Sequence, residues 1–411
     1  MQDDLEGRSR PIADVSDEPA APSTWEIVKS WLRESFRGWR PKPIRLKIAG
    51  IEVVQAVQHF NLTGVDQEGN NSTPLVARKR TMVRVYVDSG MVAVGELPNV
   101  TGSVKRSSAL AGDGDDASAG RIVGFIKDLV GIGGQSLVNP GPPINENEVV
   151  TARPLGKINR NNLGDSLNFV LPVEELSGRI RLTAEVHLKA GVLGLLLPRA
   201  RASTVIEFHE RRLPGKLVHI LVDTYMAPAP PLMSYYRYCL DQVIAMFPAP
   251  DADFFPLYQL PGYETIENDT DLSQDWGQLA DQLNQIEAEF NMDGYILTAL
   301  LSPLWSSAWR GRDFKTDVVG LEFGPVVFAD PQTFPHELGH RFGLRHAGDG
   351  NPELEGDGDS RIPVLTDEPG IDMSKRVLVP AGSSETMVYM TSSTSWFSTA
   401  TWQILFDSFA V

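Results

Sequence analysis

One stretch constrains this 411-residue chain more than any other: Thr333-Phe334-Pro335-His336-Glu337-Leu338-Gly339-His340-Arg341-Phe342-Gly343-Leu344-Arg345-His346. His336 and His340 are four residues apart, so a helix puts both on one face, one turn above the other. Two imidazoles stacked this way can share one Zn²⁺ at about 2.0–2.1 Å each. Glu337, directly after the first histidine, is placed to act as general base on a water at the metal. Gly343 can end the helix, because glycine takes the left-handed conformation at little cost. The turn it makes lets His346 return to the metal as a third ligand. Three protein ligands plus a water make the open pattern of a catalytic site, not the closed pattern of a structural one. An amphipathic helix with surface histidines is the plainer alternative. It does not account for three of the seven histidines falling inside this one stretch.

The start of the helix is also readable. Thr333 can serve as N-cap, with Pro335 inside the first turn, where its missing N–H costs nothing. The other possible start has Asp330 as cap and Pro331 at the first helical position. That choice puts Pro335 near the first position needing an N–H bond, so the sequence favours Thr333.

The extended motif resembles that of the metzincin zinc peptidases. A second segment carries the likeness further: Thr386-Met387-Val388-Tyr389-Met390-Thr391, followed by Trp396-Phe397-Ser398-Thr399-Ala400-Thr401-Trp402. It looks like the Met-turn, Trp and final helix of secreted bacterial metzincins. On that likeness Met390 is the better Met-turn candidate and Met387 the runner-up, either being a packing residue and not a ligand. Ser392 stands where some metzincins place a metal-reaching tyrosine, so no tyrosine switch is expected. The segment from Gly370 to Pro380 also looks like the connection in those enzymes. The resemblance implies a protein or peptide substrate and an exported protein. The opening residues, Met1-Gln2-Asp3-Asp4-Leu5-Glu6, lack the basic start and apolar stretch of a signal peptide.

Composition narrows the alternatives. A chain of 45.2 kDa is long enough for two domains. With 42% hydrophobic and 22% charged residues it reads as globular and not disordered. The net charge of -16 argues against nucleic acid or anionic membranes as partners. The single cysteine, Cys239, allows no disulfide within the chain and reads as a small buried hydrophobe. No apolar run approaches the roughly 18–20 residues of a membrane span.

Taken in order, residues 1–23 are acidic and rich in Pro, Ala and Ser, and read as a tail. Residues 24–39 have the pattern of a short amphipathic helix. Strands are expected at 44–57, 81–87, 166–171, 179–188 and 204–208, with turn residues between them. Together they read as a β-sandwich that resembles the immunoglobulin-like domain preceding some bacterial metzincin peptidases. Residues 122–138, Gly-rich and apolar, fit neither helix nor strand patterns. From Lys216 onward helix and strand alternate: a strand at 217–222, a helix at 234–246 and a second helix with its stripe at Leu279, Leu283, Ile286 and Phe290. Further strands are expected at 295–301 and at 318–323, the latter as a sheet edge for an extended peptide. Past His346, the acidic Gly-rich run from Gly348 to Ser360 reads as a solvated loop with a possible Ca²⁺ role, although it fits no defined calcium loop.

These readings combine into a two-domain α+β chain. Residues 1–43 form a tail and short helix, and 44–212 an immunoglobulin-like β-sandwich. Residues 213–411 form a metzincin-like catalytic domain with mixed sheet, zinc helix and Met-turn. The expected activity is that of a zinc endopeptidase with His336, His340 and His346 as ligands and Glu337 as base. Two alternatives stay open: a zincin whose third ligand is acidic, such as Glu353 or Glu355, and a catalytically lapsed zinc-binding adhesion module.

Overall fold

The first strands are hydrophobic at nearly every position, the mark of strands covered on both faces. β1 (Lys47–Val54) buries seven of its eight residues, as does β3 (Thr81–Asp88). β3 pairs antiparallel with β1 on one side and with β6 (Ser166–Leu171) on the other, making a three-stranded sheet. A five-stranded sheet faces it. Its order is β2 (Leu75–Val76), β8 (Ala200–His209), β7 (Gly178–Leu188), β4 (Leu97–Ser108) and β5 (Val150–Ala152). β7 alternates as expected, burying Ile180, Leu182, Ala184, Val186 and Leu188. β4 was not expected, since from Thr101 to Ser108 its only aliphatic side chain is Val104. It is held by close approach instead. A Cβ on Gly102 would lie 2.4 Å from the Glu185 carbonyl and 3.3 Å from Leu167 of the facing sheet.

The computed structural model describes residues 46–62, 70–90, 95–108, 140–189, 199–224, 232–263, 265–268, 277–290, 293–301, 325–347, 358–388 and 394–409, together with Ser30.

The second half is built on a four-stranded sheet of order β10 (Thr265–Asn268), β9 (Lys216–Thr224), β11 (Tyr295–Leu301) and β12 (Val326–Phe328). All its described pairs are parallel, so the chain must cross over between them. α1 (Met233–Met246) links β9 to β10, and α2 (Gly277–Phe290) links β10 to β11. Val218, Ile220, Val222, Leu297, Ala299 and Leu301 pack on Leu279, Leu283 and Ile286 of α2. The other face, with Leu217, Ile296 and Leu300, packs on α1. A mixed sheet was expected. The pairs described in this four-stranded sheet are parallel, and the edge strand expected at 318–323 lies outside the described residues.

β12 delivers the chain to α3 (Thr333–Arg341), the helix with the histidine pair. Phe334 at its start stacks on Phe328 of β12 at 3.8 Å, and both rings touch Tyr236 of α1 at 5.6 to 5.8 Å. Beyond α3, β13 (His346–Ala347) pairs with β14 (Gly358–Asp359) in parallel. β15 (Gly370–Asp372) and β16 (Val377–Val379) form a hairpin. α4 (Thr399–Ser408) closes the described chain, its first turn capped by Ser398, whose side chain accepts the Thr401 N–H. The architecture is α+β, with four α-helices among the described residues and more strands than helices. No described helix is long and apolar enough to cross a membrane.

The sequence separates 44–212 from 213–411, but in the structure Ile44–Val411 form one compact unit. The reason is a shared core. Ala56, Val57 and Val76 belong to the same apolar cluster as the buried faces of α1, α3 and α4. Trp396 Nε1 donates to the Ala56 carbonyl at 3.0 Å, and Trp402 Nε1 to the Pro74 carbonyl at 2.9 Å. The buried Lys79 ammonium donates to the Ile244 carbonyl near the end of α1. Arg160 bridges Glu52 of β1 and Glu368. Met1–Pro43 form the other unit, in which only Ser30 is described. The helix expected at 24–39 and the run 122–138 lie outside the described residues.

Gly370 shows how tight this junction is. A Cβ there would meet Trp396 Cδ1 at 2.3 Å, although the backbone φ of Gly370 is not positive. Gly370→Ala is therefore expected to lose about 1–3 kcal/mol through overpacking alone. Urea unfolding measures this, and an unchanged midpoint would mean that the indole can move aside freely.

Candidate metal centre

The local chemistry of α3 differs at one end from the sequence expectation. Asp330, not Thr333, is the cap. Its Oδ1 accepts the N–H groups of Gln332 at 2.9 Å and Thr333 at 2.8 Å, and its carbonyl accepts the first helical bond, from Phe334. Thr333 answers by accepting the Asp330 N–H on its hydroxyl at 3.2 Å, a reciprocal arrangement like a capping box. Two amides satisfied by a carboxylate outweigh the single helical bond that Pro335 cannot make.

At the other end the expectation holds. Gly343 has φ +80, in the left-handed region. Its N–H donates to the His340 carbonyl at 2.9 Å, and the Leu344 N–H to the Gly339 carbonyl at 3.0 Å, the two bonds of a Schellman turn. The chain reverses there and β13 brings His346 back. The ring centroids of His336, His340 and His346 lie 4.7 to 5.3 Å apart. One ligand nitrogen from each lies within 4.8 Å of the others. These three could hold a metal ion.

Proton placement tests the fit. His336 Nδ1 lies 2.7 Å from the Thr386 carbonyl, and His340 Nδ1 lies 2.8 Å from the Leu344 carbonyl. A carbonyl only accepts, so each Nδ1 carries the N–H and each Nε2 the lone pair. The two Nε2 atoms face each other at 3.1 Å. Two lone pairs at that distance repel, and a cation shared between them turns repulsion into binding. Tetrahedral ligands about 2.0–2.1 Å from a metal stand about 3.3–3.4 Å apart, close to this separation. Burial lowers the pKa of His336, and it brings that of His346 down to about 3, with help from the other two rings. Lone pairs are thus kept available, while the carbonyls orient the rings as partners of metal-bound histidines usually do.

Met387 is the methionine that the structure places under α3. It is buried, and a Cβ on Gly339 would come within 2.7 Å of its Sδ, so any larger residue there would have to displace the Met387 side chain. The Met387 carbonyl accepts the Ala347 N–H at 2.8 Å and so steadies the strand that carries His346. Met390, the preferred Met-turn candidate from sequence, lies outside the described residues. So do Glu353 and Glu355, and most of the acidic run with the possible Ca²⁺ role. Glu337 is half-buried on α3. Burial raises its pKa, opposed by the nearby His340.

Sequence reasoning missed the carbonyls of Thr386 and Leu344, because any residue supplies a carbonyl. Only the Leu344 contact had a signal, in the Gly343 turn. Comparison with protein-family models, with curated proteins and with solved structures finds no match to this chain.

One further group stands behind Thr386. Glu385 is fully buried, and its carboxylate accepts the N–H groups of Thr386 at 2.9 Å and Ser398 at 2.6 Å. Burial pushes its pKa up to about 7 against the pull of those bonds. The native state therefore holds this proton more tightly than the unfolded chain does. The resulting stability is fully present below the unfolded carboxyl pKa and is lost as pH rises to about 7. Relative to Glu385→Gln, the wild type should lose on the order of 1–3 kcal/mol of unfolding free energy from about pH 5 to about pH 8. Parallel pH profiles for the two proteins would show that Glu385 titrates normally.

Proposed function

We propose that the chain is a zinc endopeptidase of the metzincin type, acting on protein or peptide substrates. The observation that carries the reading is the facing pair of Nε2 atoms at 3.1 Å, with both Nδ1 atoms committed to carbonyls. Three neutral imidazoles suit Zn²⁺ among the available metals. Three protein ligands leave a fourth position open, as hydrolysis requires. When bound there, Zn²⁺ would lower the pKa of a water and polarise the scissile carbonyl.

The chain's own residues supply the rest. His336 and His340 are held by the Thr386 and Leu344 carbonyls, so their nitrogens converge without further rearrangement. Glu337 follows His336 on the same helix and takes a proton from the attacking water. That proton passes to the leaving nitrogen as the C–N bond breaks. Burial helps here, since a carboxylate whose pKa is raised is a stronger base. Placing the base and two ligands on one rigid helix keeps their spacing through the reaction.

Glu337→Ala should keep one zinc per chain and lose cleavage by about 10²–10⁴-fold or more. Zinc content and chelator-sensitive cleavage of a general protein substrate measure both. An active Glu337→Ala protein would remove the mechanism. His346→Ala should strip the metal, and a variant that keeps it would point to an acidic third ligand instead.

A further inference from the structure

We propose that Glu385 is a positioning residue of the metal centre, holding the Thr386 carbonyl in place against His336. The proposal rests on the reading of His336, His340 and His346 as zinc ligands.

A carboxylate fully inside a protein is costly unless specific partners compensate it. Among the described residues no cation is paired with Glu385; its partners are backbone amides together with the hydroxyls of Ser398 and Thr401. Oε1 takes the Thr386 N–H and Oε2 the Ser398 N–H. Ser398 is the cap of α4, so the carboxyl group sits at the end of that helix that favours negative charge. The Thr386 N–H is shared with the Trp396 carbonyl at 3.0 Å, and Trp396 is anchored through its indole to Ala56. The Thr386 N–H is thus held by its neighbour Glu385 and by Trp396, which is itself tied to the far end of the chain.

What is pinned matters to the metal. The Thr386 carbonyl orients His336, and the next carbonyl, that of Met387, holds Ala347 beside His346. The Met387 side chain fills the space against Gly339 between the two helix ligands. Residues 386 and 387 therefore support His336 directly and His346 through Ala347, and Glu385 fixes the start of that short segment. Only a carboxylate does this with both atoms. In Glu385→Gln one acceptor becomes an NH₂ group facing an N–H donor.

The test is the zinc dissociation constant of the apo protein, read by chelator competition, with Co²⁺ substitution to report ligand geometry through its visible bands. Glu385→Gln should weaken zinc binding about 10–100-fold and shift the Co²⁺ bands, while circular dichroism stays native. Glu385→Asp, which keeps the charge but is one carbon shorter, should fall between, and it carries the test if the Gln variant does not fold. Leu283→Ala in α2, on the far face of the sheet, is the control for lost stability, and its zinc affinity should change less than about twofold. Wild-type affinity in the folded Gln or Asp variant would overturn the proposal. So would a loss in Leu283→Ala equal to that in Glu385→Gln. A wild-type protein that binds no zinc would instead bring down the metal reading itself, a distinguishable result.

Discussion

The indole of Trp396 lies where the first two sheets meet the sheet-and-helix half, and much of the molecule follows from its burial. Removing an indole from water takes away roughly 150–250 Å², on the order of 4–6 kcal/mol at about 25 cal/mol per Å². Its N–H has to find a partner inside, and the Ala56 carbonyl provides one. That same carbonyl accepts the Ile371 N–H at 2.7 Å, so both of its lone pairs are used by the C-terminal half. The chain just after β1 is paired with residues more than three hundred positions later. The two halves share one apolar cluster, in keeping with 44–411 forming one compact unit.

The candidate metal centre inherits its order from this junction. Its helix is seated by aromatic stacking on β12 and α1, and its third histidine by a two-residue strand. The segment that orients His336 runs beside Trp396. The His336 and His340 rings are held by backbone carbonyls and not by flexible side chains, so they would lose little freedom if a cation bound. The same economy explains the glycines. Gly343 is needed for its backbone conformation, whereas Gly339 lets the Met387 side chain lie close against the helix.

Polar groups inside the junction are satisfied in a consistent way. Glu52 is buried and accepts from Arg84 at 3.1 Å, from Arg160 at 2.6 Å and from the Tyr86 hydroxyl. Arg160 also reaches Glu368 and the carbonyls of Phe60 and Gln58. Such a network adds little net stability, because the desolvation of the ions offsets their attraction. It does fix which strands and loops can be neighbours, since any other arrangement leaves a buried charge alone.

The amino-acid sequence by itself determined the features that depend on neighbours along the chain. The four-residue spacing of His336 and His340 follows from helical periodicity, and Gly343 from the conformational freedom of glycine. β6, β11 and most of β7 were legible because alternation or an unbroken apolar run reports burial directly. Features that depend on distant partners were decided only by the tertiary structure. β4 has no apolar run to announce it, yet it sits between β7 and β5 because their edges needed pairing. Asp330 caps α3 because its carboxylate reaches two amides, a gain that outweighed the proline the sequence pattern warned about. Met387, Thr386 and Glu385 acquire their places only when α4 and the Ala56 carbonyl close around Trp396. The three histidines were written locally, and their aim was set by a core assembled from both ends of the chain.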